Sequence, residues 1–109
     1  MKKDGVWFVE FKSSRVILPK AYTLTTGAYT SSYPTERPKD WKLKAKHNAT
    51  DDWTTISTVS NDTRLPNKDG ETVRYDLDVT GQQWQYFRFE VSANQGGPRL
   101  NLGDLELEY

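Results

Sequence analysis

Apolar and polar residues alternate with a period of two in short windows along the chain, and Gly, Pro, Asn or Asp closes each window. A strand turns successive side chains to opposite faces, so these windows predict half-buried β-strands joined by turns. Trp7, Val9 and Phe11 share one face of a first strand with Glu10 outward, and Tyr22 and Leu24 do so in a second after Pro19, with Thr23 outward. A long polar loop runs from Gly27 to Asp40, where Pro38 keeps Arg37 out of helical geometry. Trp41, Leu43 and Ala45 then point inward and Lys42, Lys44 and Lys46 outward, until the turn 47–52 (HNATDD) ends the strand. Trp53, Ile56 and Val59 mark another strand. A turn-rich linker over 60–71 leads to Val73, Tyr75, Leu77 and Val79, alternating with Arg74, Asp76 and Asp78. The clearest alternation runs from Trp84 to Val91: Phe87, Phe89 and Val91 face one way and Tyr86, Arg88 and Glu90 the other, as in a central strand. After the loop 92–99, Leu100 and Leu102 lead to Leu105, Leu107 and Tyr109, with Gly103 expected to mark a bulge or bend.

About seven short strands without a helical stripe between them predict an all-β antiparallel sandwich or barrel. Composition agrees, because 12 Thr, 7 Val, 6 Tyr, 4 Phe and 4 Trp suit a pleated, half-buried surface. At 109 residues, of which 35% are hydrophobic, there is material for one core, and the aromatic residues must supply much of it. Trp7, Trp41 and Trp53 lie in apolar patterns and are expected in that core. Trp84 sits at a strand start, where either packing or an exposed ring fits. Arg37 is expected to stack on an aromatic ring or to cap loop carbonyls.

Charge narrows the function. Fifteen basic and fifteen acidic side chains leave no net field to draw the protein to nucleic acid or an anionic membrane. The balance conceals an asymmetry: residues 1–50 carry 10 basic and 4 acidic side chains, and residues 51–109 carry 5 and 11. Interleaved strands would absorb this as cross-strand pairs of about 0.2–1 kcal/mol each; the alternative is a bipolar surface that steers a partner.

Without Cys there is no disulfide framework, thiolate metal site or thiol nucleophile, and a single His excludes multi-histidine metal centres. The longest apolar run, Val6 to Val9, is four residues, far short of the roughly 20 that cross a bilayer, and the opening MKKDG has no signal-peptide core. His47 beside Asp51 and Asp52 reads as a solvated turn. The acids fall in turns or on outward strand positions, with no buried pair of the kind glycoside hydrolysis needs. No nucleophile elbow, phosphate loop or dinucleotide fingerprint is present, so no enzyme is expected. Asn48-Ala-Thr and Asn61-Asp-Thr fit the glycosylation sequon, which matters only on a eukaryotic secretory route.

The runs Trp7-Phe-Val-Glu-Phe, Ala21-Tyr-Thr-Leu-Thr-Thr-Gly, Glu36-Arg-Pro-Lys-Asp-Trp-Lys-Leu, Asp52-Trp-Thr-Thr-Ile, Tyr86-Phe-Arg-Phe-Glu-Val-Ser-Ala-Asn-Gln-Gly-Gly and Leu100-Asn-Leu-Gly-Asp-Leu-Glu-Leu occur in an order and spacing that resembles the coagulation-factor type C, or discoidin, domain. The resemblance covers Trp7 to Glu108. It implies a galactose-binding-like jelly roll of two packed antiparallel sheets, used as a non-catalytic module that binds glycans and sometimes lipids or proteins. It further implies one domain, 1–109, of a larger secreted or cell-surface parent chain, whose neighbouring domains are partners beside a glycan or glycoprotein.

Two departures from the family pattern stand out. The segment that usually precedes the Trp-x-Val-Glu-Phe strand and contributes calcium ligands is represented only by MKKDGV, which would leave a sheet edge open to pairing and, in Asp104 or Glu106, half of the family's calcium site. The Arg and Asn that galactose-binding members place before the Arg-Pro-Lys-Asp-Trp block are replaced by Tyr29-Thr-Ser-Ser-Tyr-Pro-Thr. Tyr29 and Tyr33 supply aromatic faces for stacking a pyranose, and Asn94, Gln95 and Arg99 supply hydrogen bonds if the two loops share one end of the sandwich. A rival reading is a protein-interaction or architectural module without a sugar ligand, for which an exposed apolar patch would speak. A lipid-binding reading needs protruding apolar loop tips with basic neighbours, and the Tyr29 loop is poor in both.

Overall fold

A computed structural model of the protein describes residues 2–3, 5–78 and 81–109; the expectation for Val79 lies outside them. Eight strands form among these residues, one more than the alternation predicts, because the pair β1 (Lys2–Lys3) folds back on β2 (Val6–Ile17). They continue as β3 (Ala21–Thr25), β4 (Pro38–Lys46), β5 (Thr54–Val59), β6 (Thr72–Asp76), β7 (Trp84–Asn94) and β8 (Asp104–Glu108), with a single 3-10 turn at Pro34–Glu36. Two antiparallel sheets result, one of five strands in the order β1-β2-β7-β4-β5 and one of three in the order β6-β3-β8. The fold is therefore the expected all-β antiparallel sandwich, with β7 at the centre of the larger sheet.

Register places the inward residues as the alternation requires. Trp7, Val9 and Phe11 lie opposite Val91, Phe89 and Phe87, which in turn lie opposite Trp41, Leu43 and Ala45. From the smaller sheet Tyr22 stands between Tyr75 and Leu107, and Leu24 between Val73 and Leu105. Tyr22, Leu24, Trp41, Leu43, Leu65, Tyr75, Leu77, Phe89 and Val91 make the main buried cluster, and Ile17, Ala45 and Phe87 make a second. Aromatic rings carry the centre: Tyr22 stacks on Tyr75 with centroids 5.4 Å apart, and Trp41 meets Tyr75 edge-on at 5.2 Å.

The polar ends of these rings are paired inside the core. Trp41 Nε1–H donates to Tyr22 Oη at 2.8 Å, and Tyr22 Oη shares a 2.8 Å hydrogen bond with Ser57 Oγ. Tyr75 donates to Asp62 Oδ1 at 3.0 Å. Burial pushes the Tyr22 phenol above its ordinary value. It pushes Tyr75 up further, where the Asp62 charge and hydrogen bond add to the effect, so Tyr75 stays a neutral donor.

Some expectations change, and those left open for Trp84 and Arg37 are decided. Trp53 precedes β5, belongs to neither core cluster, and lies half-buried under Lys46, whose Nζ is 4.4 Å from the ring centroid. The register shift between Leu43, opposite Ser57, and Lys44, opposite Thr55, leaves Ile56 as the extra residue of β5, packed against both core clusters. Trp84 packs against the second cluster. Arg37 caps carbonyls, donating to Pro34 O at 2.8 Å and Leu65 O at 2.6 Å. Gly103 forms no bulge: it stands just before β8 and donates to Thr25 O at 2.8 Å, where an added Cβ would lie 2.7 Å from Thr26 O. Leu100 and Leu102 lie in a loop and pack on the core from its edge.

The charge asymmetry is absorbed only in part. Along the outer face of the larger sheet, rows from Phe8 to Lys12 carry five cations (Lys12, Lys42, Lys44, Lys46, Arg88) and two anions (Glu10, Glu90). The outer face of the smaller sheet carries Arg74 against Asp76, Asp104, Glu106 and Glu108. Opposite signs thus gather on opposite faces of the sandwich.

Candidate functional site

Loops from both halves of the chain are sewn together at one end of the sandwich. Gln95 N–H donates to Arg37 O at 3.0 Å, Gly97 N–H to Thr35 O at 3.0 Å, and Asn101 N–H to Glu36 O at 2.9 Å, joining the 92–103 loop to the 27–37 loop. Gly97 is required for this approach, since an added Cβ would lie 2.9 Å from the Thr35 carbonyl oxygen. The 60–71 segment is tied in as well: Ser31 N–H donates to Asp69 Oδ1 at 2.8 Å, and Thr26 Oγ1 donates to Lys68 O at 2.5 Å while accepting from Glu71 N–H at 2.8 Å.

That segment is no passive linker. Asp62 is buried and accepts from Tyr75, from Arg64 N–H at 3.2 Å and from Leu65 N–H at 3.0 Å, which seats Leu65 in the core at 2% exposure. The anchor matters for the site because Gln95 of the neighbouring loop donates to Asp62 O at 3.1 Å.

On this platform Tyr29, Tyr33, Glu36, Arg99, Leu100 and Asn101 line a groove of about 280 Å³. Tyr29 is 68% and Tyr33 52% exposed, whereas every other aromatic residue except Tyr109 is buried or half-buried. Glu36, buried at the end of the 3-10 turn, holds the otherwise exposed Arg99 guanidinium by an ion pair with Nε–Oε2 of 3.5 Å. The groove thus combines two apolar ring faces with an anchored cation and a carboxylate, both directional hydrogen-bonding groups. Asn94 is not among the lining residues: its amide donates to Gly97 O at 2.9 Å and Arg99 O at 2.7 Å, and its Oδ1 accepts from Gly96 N–H at 3.0 Å. It shapes the turn that presents Arg99. Glu36 and Asn101 were not singled out in the sequence, although each lies inside a run that carries the family resemblance.

Asp104 and Glu106 stand elsewhere, exposed on the outer face of β8 opposite Thr25 and Thr23. Two carboxylates on an open sheet face do not build the six- to eight-oxygen shell that calcium takes. No group of three or more His, Cys, Asp or Glu among the described residues is placed to hold a metal ion. His47 is exposed, with Nδ1 3.0 Å from Gln83 O. No described helix is long and apolar enough to cross a membrane.

No protein-family model matches the sequence, and no curated protein matches it. Solved structures share the fold. Chitosan-binding module 1 from a chitosanase/glucanase of Paenibacillus sp. IK-5 superimposes with a TM-score of 0.64 at 15% identity, over 95% of this chain and 69% of that one. The family 32 carbohydrate-binding module of Streptococcus pneumoniae EndoD superimposes with a TM-score of 0.69 at 14% identity, over 93% of this chain and 68% of that one. The chain is similar in fold to both.

Proposed function

We propose that the protein is a non-catalytic carbohydrate-binding module that takes a glycan in the loop-end groove, as part of a secreted or cell-surface protein. The observation that carries the reading is the pair of exposed rings, Tyr29 and Tyr33, set beside the Glu36–Arg99 ion pair on hydrogen-bonded loops. A pyranose offers an apolar C–H face and directional hydroxyls, and this groove supplies a counterpart to each. The names of the two structural neighbours, which describe chitosan binding and carbohydrate binding, support the same class of ligand. Binding at one such shallow site is weak, and copies or neighbouring domains in a parent protein would raise it. In a glycan array or affinity electrophoresis, Tyr29→Ala/Tyr33→Ala is expected to lower retention about tenfold, taking roughly 0.5–1.5 kcal/mol for each lost ring contact. Unchanged retention would refute the assignment.

A protein-contact reading is favoured by a different place. Trp7, Val9, Leu100, Leu102 and Leu105 line an apolar groove of about 350 Å³ between β2 and β8, and Val9 is 52% exposed although it points inward. β8 pairs with β3 along one edge and has no strand on the other among the described residues. Val9→Asp abolishing association with a neighbouring domain, while leaving glycan retention intact, would support this reading for that edge.

A further inference from the structure

The outer face of the five-stranded sheet divides into three rows of side chains. In the first, Phe8, Glu90 and Lys42 lie side by side; in the second, Glu10, Arg88 and Lys44; in the third, Lys12, Tyr86 and Lys46. The acids of the first two rows are spent within them. Glu90 pairs with Lys44 at 2.8 Å and with Arg88 at 2.7 Å, and Glu10 lies 3.5 Å from Arg88.

The third row is built differently. Lys12 Nζ lies 5.4 Å and Lys46 Nζ 5.9 Å from the centroid of the Tyr86 ring, and Lys46 Nζ also lies 4.4 Å from that of Trp53. Ala49 O accepts a hydrogen bond from Lys46 Nζ at 2.9 Å. Two ammonium groups are thus gathered on one ring, one of them held by a carbonyl and two ring faces. Among the described residues neither forms an ion pair. Together with Glu10 and Ala49 these residues line a groove of about 380 Å³. A long lysine side chain in water loses entropy when fixed. With Glu10 already drawn to Arg88, a pair of cations held on rings suits a ligand with its own negative charge and an apolar face.

The geometry points to a second binding surface, made by Lys12, Lys46, Tyr86 and Trp53, for an anionic saccharide: a pyranose bearing carboxylate or sulfate. Its acid group is held between the two ammonium groups, and its C–H face lies against the exposed parts of the Trp53 and Tyr86 rings. The surface lies on a strand face away from the loop-end groove, shares no lining residue with it, and stands whether or not that groove binds sugar.

The test is native affinity electrophoresis of the full chain in gels containing polygalacturonate, chondroitin sulfate or a neutral glucan. Retardation is expected in at least one acidic gel and not in the neutral one, and comparing the two acidic gels separates carboxylate from sulfate. Lys12→Gln/Lys46→Gln is expected to weaken it about fivefold or more, and about 0.3 M salt to remove it. Lys42→Gln on the same face and Tyr29→Ala/Tyr33→Ala at the loop end should retain it. Trp53→Ala should lose it with charge unchanged; if that variant does not fold, Trp53→Leu, apolar but without a ring, takes its place. The proposal is overturned by an absence of retardation in both acidic gels, by retardation that survives Lys12→Gln/Lys46→Gln or the Trp53 variant, by an equal loss in Lys42→Gln, or by equal retardation in a gel containing duplex DNA, which would reveal a face-wide attraction of charge.

Discussion

At the scale of single residues, one buried carboxylate does the most structural work. Asp62 accepts hydrogen bonds from the Tyr75 hydroxyl and from the Arg64 and Leu65 amides, and so ties the 60–71 segment to the aromatic core. Replacing it by Ala removes the acceptor and leaves buried donors without a partner, each costing about 1–3 kcal/mol. Asp62→Ala is therefore expected to lower stability by about 2–4 kcal/mol in urea unfolding, with the slope of the transition unchanged. A loss under 0.5 kcal/mol would mean that these hydrogen bonds do not anchor the loop. The sequence offered no sign of this role, because an Asp among Asn, Thr, Pro and Gly has the composition of a solvated turn. Its partners, Tyr75 and Leu65, are brought to it only by the pairing of β6 with β3 and by the fold of the loop.

At the scale of strands and loops, legibility follows periodicity. Trp41 to Ala45 and Phe87 to Val91 reveal their faces because both strands lie inside the larger sheet, where one face is dry and the other wet. Trp53 misleads for the complementary reason: it precedes the edge strand β5, and a bulge breaks the period there, so an apolar residue can end on the outer face. Of the loop-end residues, Tyr29, Tyr33 and Arg99 can be picked out in the sequence by residue type, whereas Glu36 is chosen by distance in space alone. The outer ladder of β7 also carries a pH dependence. Burial raises the Glu90 carboxyl, but hydrogen bonds and charge from Lys44 and Arg88 outweigh it and hold the group below the usual glutamate range. A depressed carboxyl in the folded state stabilises above its unfolded value and loses that contribution as pH falls through the lower, folded value. The urea midpoint is expected to fall from about pH 5 downward, and to fall less steeply in Glu90→Gln. Identical pH profiles for the two proteins would remove Glu90 as a contributor.

At the scale of the whole molecule, equal numbers of acidic and basic groups do not make a neutral surface. The first half of the chain supplies the outward lysines of β4 and β2, and the second half supplies the acids of β8 and β6, so the asymmetry along the sequence becomes a separation across the sandwich. Only part of it is cancelled by short-range pairs such as Lys44–Glu90 and Arg74–Glu108. A charged resin approaches one side of a protein at a time, and at low ionic strength it responds to the field of that side more than to the net charge. With a sequence pI of about 6.6, the protein would pass through a cation exchanger at pH 7 if its charges were evenly mixed. With its faces separated, it is expected to be retained at pH 7 and low salt on both a sulfonate and a quaternary-amine resin, and to leave both at moderate salt. Neutralising Lys12, Lys42 and Lys46 together should release it earlier from the sulfonate resin. The quaternary-amine resin, which sees the β8 face, should hold it as firmly as before or more so. Retention of the unsubstituted chain on the anion exchanger alone would show that the opposed faces do not act as separate fields.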